Sequence, residues 1–279
     1  MAAHSQHPIP QQALIRRLRR LCRADRRVEA AMLYGSFSRG EGDQFSDIDC
    51  VLFFADGLSS LPSPATWLGR IARVDLCYKN EFGNTVAVFA GLIRGEFHFD
   101  RVADMKQTES WRGEVWLPAV GPALLVDRKG LLAPRLQPLL VPPASRDTPA
   151  DIAYLAASLV NWCLFGSHVL ARGEGARAQE ILRLVHDHLL RLVRLAQGLP
   201  QRWTAPTRFL ESELSPPDYR RFQECSAPVE TTALWRAYMA CWSWGAQLLP
   251  PLAARHQVTL PEPLMQRLQR RLEDQATQA

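Results

Sequence analysis

The chain has 279 residues, 47% of them hydrophobic and 22% charged, an apolar supply that lets a protein bury roughly three-quarters of its unfolded surface. This excludes disordered and fibrous classes, and the length favours two ordinary domains over one large one. The formal charge of +5 suits a polyanionic ligand without requiring nucleic acid. Among the basic residues only Lys79, Lys106 and Lys129 are not arginine, and the arginines are scattered over every predicted helix rather than gathered in one tract.

Residues 10–27 are predicted as a helix, because Ala13, Leu14, Leu18, Leu21 and Cys22 recur at three- and four-residue spacing. Its arginines fall mostly on the opposite, solvated face. From Val28 to about Val126 the texture changes to short apolar or alternating runs separated by Gly, Pro, Asn and Asp, which predicts strands at 30–34, 48–54, 71–78, 85–92 and 95–102. Residues 80–84, with Gly83, suit a hairpin loop. A mostly antiparallel or mixed sheet with flanking helices follows, so the N-terminal half is α+β.

Five prolines (Pro134, Pro138, Pro142, Pro143 and Pro149) then deny helix continuation and ladder hydrogen bonds. They mark 133–150 as a linker between an N-terminal domain at 1–132 and a helical domain at 151–279. Helices are expected at 152–172, 176–197, 231–249 and 264–273, the first capped by Asp147 or Thr148. The six cysteines lie far apart with no C-x-x-C pair and read as reduced core thiols. The basic N-terminus lacks the apolar stretch of a secretory signal, and no run reaches about 18 apolar residues. The expectation is a cytoplasmic protein without a membrane partner.

One stretch is far more specific than the rest: Leu33-Tyr34-Gly35-Ser36-Phe37-Ser38-Arg39-Gly40-Glu41-Gly42-Asp43-Gln44-Phe45-Ser46-Asp47-Ile48-Asp49-Cys50. It reads as a strand, a Gly-Ser turn, a polar loop and an Asp-x-Asp opening the next strand. Alternation puts Asp47 and Asp49 on one face, roughly 7 Å apart along the chain. Two carboxylates so placed repel each other unless a cation lies between them. Oxygen donors of this kind suit Mg²⁺, which takes one or two protein carboxylates with substrate phosphates supplying the rest. Gly35 allows close backbone approach to a phosphate, Ser36 adds a hydroxyl, and Arg39 can neutralise outer phosphates. In the next block, 94–100, alternation places Arg94, Glu96, His98 and Asp100 on one face and Phe97 and Phe99 on the other. Glu96 and Asp100 stand about 13 Å apart along a strand, so only one can join the aspartates, and spacing alone leaves both open.

Gly-Ser followed by Asp-x-Asp resembles the nucleotidyltransferase superfamily built on the DNA polymerase beta palm. Tyr34-Gly35-Ser36-Phe37, Gly40-Glu41-Gly42-Asp43-Gln44, Tyr78-Lys79-Asn80-Glu81, 92–99 and the segment from Arg172-Gly173-Glu174 to Arg177 resemble the lincosamide nucleotidyltransferases. The resemblance implies a palm-like mixed sheet followed by a C-terminal helical bundle. It also implies transfer of AMP from ATP, with Mg²⁺, to a hydroxyl of a lincosamide antibiotic, releasing pyrophosphate. It favours Glu96 over Asp100 as the third acid, acting as general base or metal ligand beside Asp47 and Asp49, with Gly35, Ser36 and Arg39 on the nucleotide. Asp49 stands where relatives carry Glu in some cases, a shorter arm that holds a metal nearer the backbone.

The remaining candidates each have a bland alternative. His98 contacts the drug or is satisfied by neighbours, and Arg172 and Arg177 reach the nucleotide or sit on the surface. Trp162, Tyr238, Trp242 and Trp244 line an acceptor pocket or, as aromatic residues at helical spacing more often do, form core. His186-Asp187-His188 is set aside as a metal site, since residues two apart on a helix face different ways. The partners expected are a small-molecule antibiotic and a nucleoside triphosphate, no nucleic acid, and a second copy in a homodimer. The rival functions are an aminoglycoside-modifying enzyme and a non-catalytic antitoxin or RNA-binding protein of the same fold.

Overall fold

The computed structural model describes residues 9–142 and 146–278, in two compact units, Met1–Ala144 and Ser145–Ala279. The first unit opens with helix α1 (Pro10–Ala24), whose Leu14, Leu18, Leu21 and Cys22 are buried. Six strands follow, β1 (Val28–Tyr34), β2 (Ile48–Phe54), β3 (Val74–Lys79), β4 (Thr85–Phe89), β5 (Ile93–Arg101) and β6 (Leu124–Asp127), interrupted by the short helices α2 (Gly35–Ser38), α3 (Pro64–Leu68) and α4 (Val120–Ala123). They form one mixed sheet in the order β3-β4-β5-β2-β1-β6, parallel between β2 and β5 and antiparallel elsewhere. Strand β2 is apolar almost throughout because it sits centrally with both faces covered.

One face carries Ala31, Leu33, Ile48, Cys50, Leu52, Phe54 and Phe97 against α1 and Trp67. On the other, Ala30, Met32, Val51 and Phe53 are covered by Met105, Leu117, Leu132, Leu136 and Leu139. That second face also bears Tyr34, Asp49, Glu96 and His98 towards one end, none of them fully buried.

Several sequence expectations need correcting. The third strand begins at Val74 rather than at residue 71, and β6 is a separate edge strand that the sequence reading did not isolate. The linker expected at 133–150 is folded over its first half. Helix α5 (Leu132–Arg135) and a 3-10 turn at Gln137–Leu140 press Leu132, Leu136 and Leu139 into the sheet. The leucines recur at helical spacing, and Pro138 sits in the first turn of its helix, where no donor is required. Residues 143–145 of the proposed linker lie outside the described residues.

The second unit consists of α6 (Pro149–Ala171), α7 (Gly175–Ala196), α8 (Leu210–Glu213), α9 (Pro216–Glu224), α10 (Thr231–His256) and α11 (Glu262–Gln278). Thr148 caps α6 by accepting from the Asp151 backbone N–H at 3.2 Å. Helix α6 is long and apolar enough to cross a membrane, yet Ile152, Leu155, Leu159, Cys163 and Leu170 are buried in the core of this unit. Gly166 admits Tyr238, whose hydroxyl would lie 2.1 Å from a Cβ there and donates to the Ala178 carbonyl at 2.7 Å. Helix α10 runs past its expected end at Leu249, through Pro250 and Pro251. Interior prolines cost about 3 kcal/mol or more, and here the helix continues because Leu252 and Ala253 carry the buried stripe onward. Tyr238, Trp242 and Trp244 are core residues and Trp162, partly buried, packs against the same core, as the core reading of these aromatic residues expects. All six cysteines are free thiols.

Candidate active site

The site begins where β1 ends. Tyr34 is extended, and Gly35, at φ +66°, starts the single turn of α2, closed by the Ser38 hydroxyl donating to the Gly35 carbonyl at 2.8 Å. A Cβ on residue 35 would lie 2.2 Å from Asp49 Oδ2. Glycine therefore lets the Asp49 carboxylate rest directly on the backbone of the Gly-Ser turn, which is the physical content of the motif. Ser36, half-buried, accepts the backbone N–H groups of Arg39 and Glu41 on its carbonyl, and Arg39 pairs with Glu41 at 3.0 Å.

The loop that leads to Asp47 is held from both sides. Asp43 accepts the Phe45 N–H at 2.9 Å and the Ser46 hydroxyl at 2.8 Å. Buried Gln11 of α1 donates to the carbonyls of Gln44 and Ser46 at 2.7 and 3.2 Å. Gly42 closes the loop over Phe37, whose ring would be 2.4 Å from a Cβ.

Register then brings the acids together. Asp49 pairs with Tyr34 on β1 and, across the parallel ladder, with Glu96 on β5. Arg94, two residues before Glu96 on the same face, donates one guanidinium N–H to Asp47 and another to Glu96 Oε2 at 3.2 Å. Asn84, at the entry to β4, donates to Glu96 Oε1 at 2.6 Å. Burial, followed by the charges of Asp47 and Glu96, pushes the Asp49 carboxyl up to about 6. Asp100 pairs with Phe53, four residues further along β5, and accepts from Gln107 at 2.9 Å. It therefore lies away from the Asp49–Glu96 pairing.

The structure places His98 just below the acids, opposite Val51. Its Nε2 meets the Tyr34 hydroxyl at 3.1 Å, and its ring lies 5.8 Å from that of Tyr34 and 5.9 Å from that of Trp111. Burial holds its pKa below the ordinary histidine range, and the Tyr34 hydroxyl is its hydrogen-bond partner. Arg172 and Arg177 belong to the second unit, where both approach Glu174, at 4.0 and 3.1 Å, and Arg177 lies over the Phe165 ring. His186, Asp187 and His188 are each engaged separately, with the Cys225 carbonyl, Arg191 and the Leu184 carbonyl.

Among the described residues no three acidic, imidazole or thiol groups converge closely enough to hold a metal as they stand. At the acid face Arg94 is interposed between Asp47 and Glu96. The donor chemistry nevertheless fits a hard divalent cation. Asp49 and Glu96 are register partners and Asp47 reaches Glu96 through the Arg94 guanidinium, so three oxygen-donor carboxylates border one face. Sequence reasoning set Arg94 on this face without a role and left Asn84 in a loop. Tyr34 stood within the Gly-Ser stretch without a role of its own, and Trp111, in the 3-10 helix at Val102–Trp111, carried no sequence signal.

Comparison with known families agrees with this geometry. Residues 15–102 match the nucleotidyltransferase domain family, and residues 148–271 match the family described as lincosamide nucleotidyltransferase-like, C-terminal domain. The chain is therefore an enzyme of the nucleotidyltransferase class. Within that class, its second unit is similar to the C-terminal domain of lincosamide nucleotidyltransferase-like proteins. No curated protein matches the chain significantly. A solved aminoglycoside 6-adenyltransferase from Bacillus subtilis is similar over 98% of this chain and 99% of its own, at 12% identity and a TM-score of 0.43.

Proposed function

We propose that the enzyme transfers AMP from ATP to a hydroxyl of a lincosamide antibiotic, releasing pyrophosphate. The observation that carries the chemistry is the pairing of Asp49 with Glu96 beside the Gly35-Ser36 turn. The lincosamide nucleotidyltransferase-like second unit supports the acceptor. Asp47, Asp49 and Glu96 are the groups that would hold Mg²⁺. When bound, the ion offsets charge developing on the α-phosphoryl group and the leaving pyrophosphate.

The chain's own residues do the remaining work. Ser36 and Arg39 take the outer phosphates, Arg39 exchanging Glu41 for them. Glu96, held by Asn84 through Oε1, accepts the proton of the attacking hydroxyl. The Tyr34, His98 and Trp111 rings form an aromatic floor beneath the acids.

Incubation with ATP, Mg²⁺ and a panel of antibiotics, read by mass spectrometry, tests the proposal. Lincomycin and clindamycin are expected to gain the mass of one AMP residue. Gain on aminoglycosides alone would replace the acceptor while leaving the reaction, and no gain on any member of the panel would favour the non-catalytic alternatives. A homodimer and a cytoplasmic location go with this reading, and light scattering on the eluted protein tests the former.

A further inference from the structure

Arg94 is the residue of the acid face that the proposed reaction leaves without a task. It precedes Glu96 by two positions on β5, shares its face, and pairs across the ladder with Val88 of β4. Its two guanidinium nitrogens reach different acids, Asp47 and Glu96. Its side chain is 41% exposed, against 39% for Asp47 and 21% for Glu96, so the guanidinium stands at the solvent side of Glu96. Asn84 holds the other Glu96 oxygen at 2.6 Å independently of it. Asp49, enclosed between the glycine turn and β5, takes no hydrogen bond from Arg94, whose donors go to Asp47 and Glu96.

A guanidinium and a divalent ion drawn to the same two carboxylates repel each other, so each weakens the other's hold. Arginine stays charged at any accessible pH, so if displaced it needs another anion, and its planar fork matches phosphate oxygens as well as carboxylates. We propose that Arg94 is the resident counter-ion of the acid face. It holds Asp47 and Glu96 together until a divalent ion and a triphosphate arrive, and it then transfers to the phosphates. The inference rests on the reading of this face as the cation and nucleotide site. It makes Arg94 a positioning residue with a thermodynamic consequence: metal alone must compete with the guanidinium, whereas metal with nucleotide does not. Each ligand therefore tightens the other, reciprocally.

The test is Mn²⁺ binding to the full chain, followed by water-proton relaxation, which separates protein-bound ion from its complex with nucleotide. It is run with and without an α,β-methylene ATP analogue on the wild type, Arg94→Gln, Arg94→Lys and Asp49→Asn. In the wild type the analogue is expected to tighten Mn²⁺ binding by a factor in the range of about 5 to 150 usual for coupled sites. Arg94→Gln is expected to bind Mn²⁺ more tightly than the wild type when no nucleotide is present, and to lose most of the enhancement by the analogue. Arg94→Lys keeps a competing charge and should resemble the wild type. Without metal, Arg94→Gln should unfold at a lower temperature than the wild type, and Mn²⁺ alone should raise its Tm more.

Unchanged or weaker nucleotide-free binding in Arg94→Gln, with binding abolished in Asp49→Asn, overturns the role of Arg94 and leaves the site standing. Full Mn²⁺ binding in Asp49→Asn, or none in the wild type with the analogue, overturns the site and the inference together.

Discussion

Replacing Gly35 by alanine perturbs two things that the structure allows to be separated. The backbone at residue 35 is left-handed, at φ +66°, and a side chain there costs roughly 1–2 kcal/mol. The added Cβ would also stand 2.2 Å from Asp49 Oδ2, so the carboxylate or the turn must retreat by about 1 Å, a misplacement that can cost on the order of 100-fold in rate. Gly40 supplies the control. Its φ is +74°, and a Cβ there meets nothing within 4 Å, so Gly40→Ala imposes the same kind of backbone strain without touching an acid. Both variants are expected to lose roughly 2–8 °C in the melting of the first unit, at about 2–4 °C per kcal/mol for domains of this size. Steady-state turnover, by contrast, should fall about 100-fold in Gly35→Ala and remain within a few fold in Gly40→Ala. Equal losses of turnover in the two variants, or full activity in Gly35→Ala, would refute the argument that this glycine exists to seat Asp49.

Other expectations follow from the same contacts. Asp47→Asn, Asp49→Asn and Glu96→Gln should each lower turnover by orders of magnitude with thermal unfolding nearly unchanged, as kinetics beside calorimetry would show. Asp25 accepts from Arg27, Arg70 and the buried Trp67 indole N–H, and Asp25→Ala, which orphans that indole, should cost about 1–3 kcal/mol in denaturant titration. The hydrogen bonds from Arg27 hold the Asp25 carboxyl well below its ordinary range. Its stabilising contribution is therefore complete above the unfolded value near pH 4 and is lost as the pH falls towards the native value. Asp25→Asn should accordingly flatten the stability curve below about pH 4, and an unaltered acid limb would count against the assignment. In the second unit Gly166→Ala would drive a methyl into the Tyr238 hydroxyl, and a loss of about 1–3 kcal/mol is expected.

The parts of this fold legible in the sequence are those in which a local pattern and the tertiary environment ask for the same thing. Strand β2 was bounded correctly because a central strand with both faces covered must be apolar throughout, and Ile48 to Phe54 satisfies that without any knowledge of the partners. The Gly35-Ser36 turn and the aspartates were readable because the chemistry fixes residue types at short spacing. What was lost depended on distant contacts. The edge strand β6 is four residues long, too short for a periodic signal. Prolines hid α5 and the turn after it, whose leucines reveal their helical spacing only against the sheet that receives them. Prolines likewise hid the end of α10, where burial of Leu252 and Ala253 overrides a strong local stop. Asn84 could not be found from its own surroundings in the sequence, since its role exists only because β4 lies beside β5.

The acids come from two sources with different tolerances, and this decides where the site is vulnerable. Gly35, Asp47 and Asp49 all belong to the β1-α2-β2 connection, so their relation is set by one loop pinned by Gln11 and the Asp43 turn. Glu96 arrives from far along the chain and meets Asp49 only through the parallel β2–β5 ladder, in which Ile48, Asp49 and Cys50 face Gly95, Glu96 and Phe97. A slip of one residue in that ladder would turn Glu96 to the opposite face and bring Phe97 to the acids. Gly95 guards against the slip, because a Cβ there would stand 2.9 Å from the Ile48 carbonyl and 2.6 Å from the Phe97 ring, so only glycine lets β5 lie this close to β2 at the level of the site. Gly95→Ala should therefore impair catalysis through Glu96 although residue 95 touches no acid. The Asp47–Asp49 half should be unaffected, so turnover is expected to fall while Mn²⁺ binding in the presence of nucleotide falls less than in Asp49→Asn. A Gly95→Ala variant with the turnover of the wild type would show that the β2–β5 spacing is not what positions the third acid.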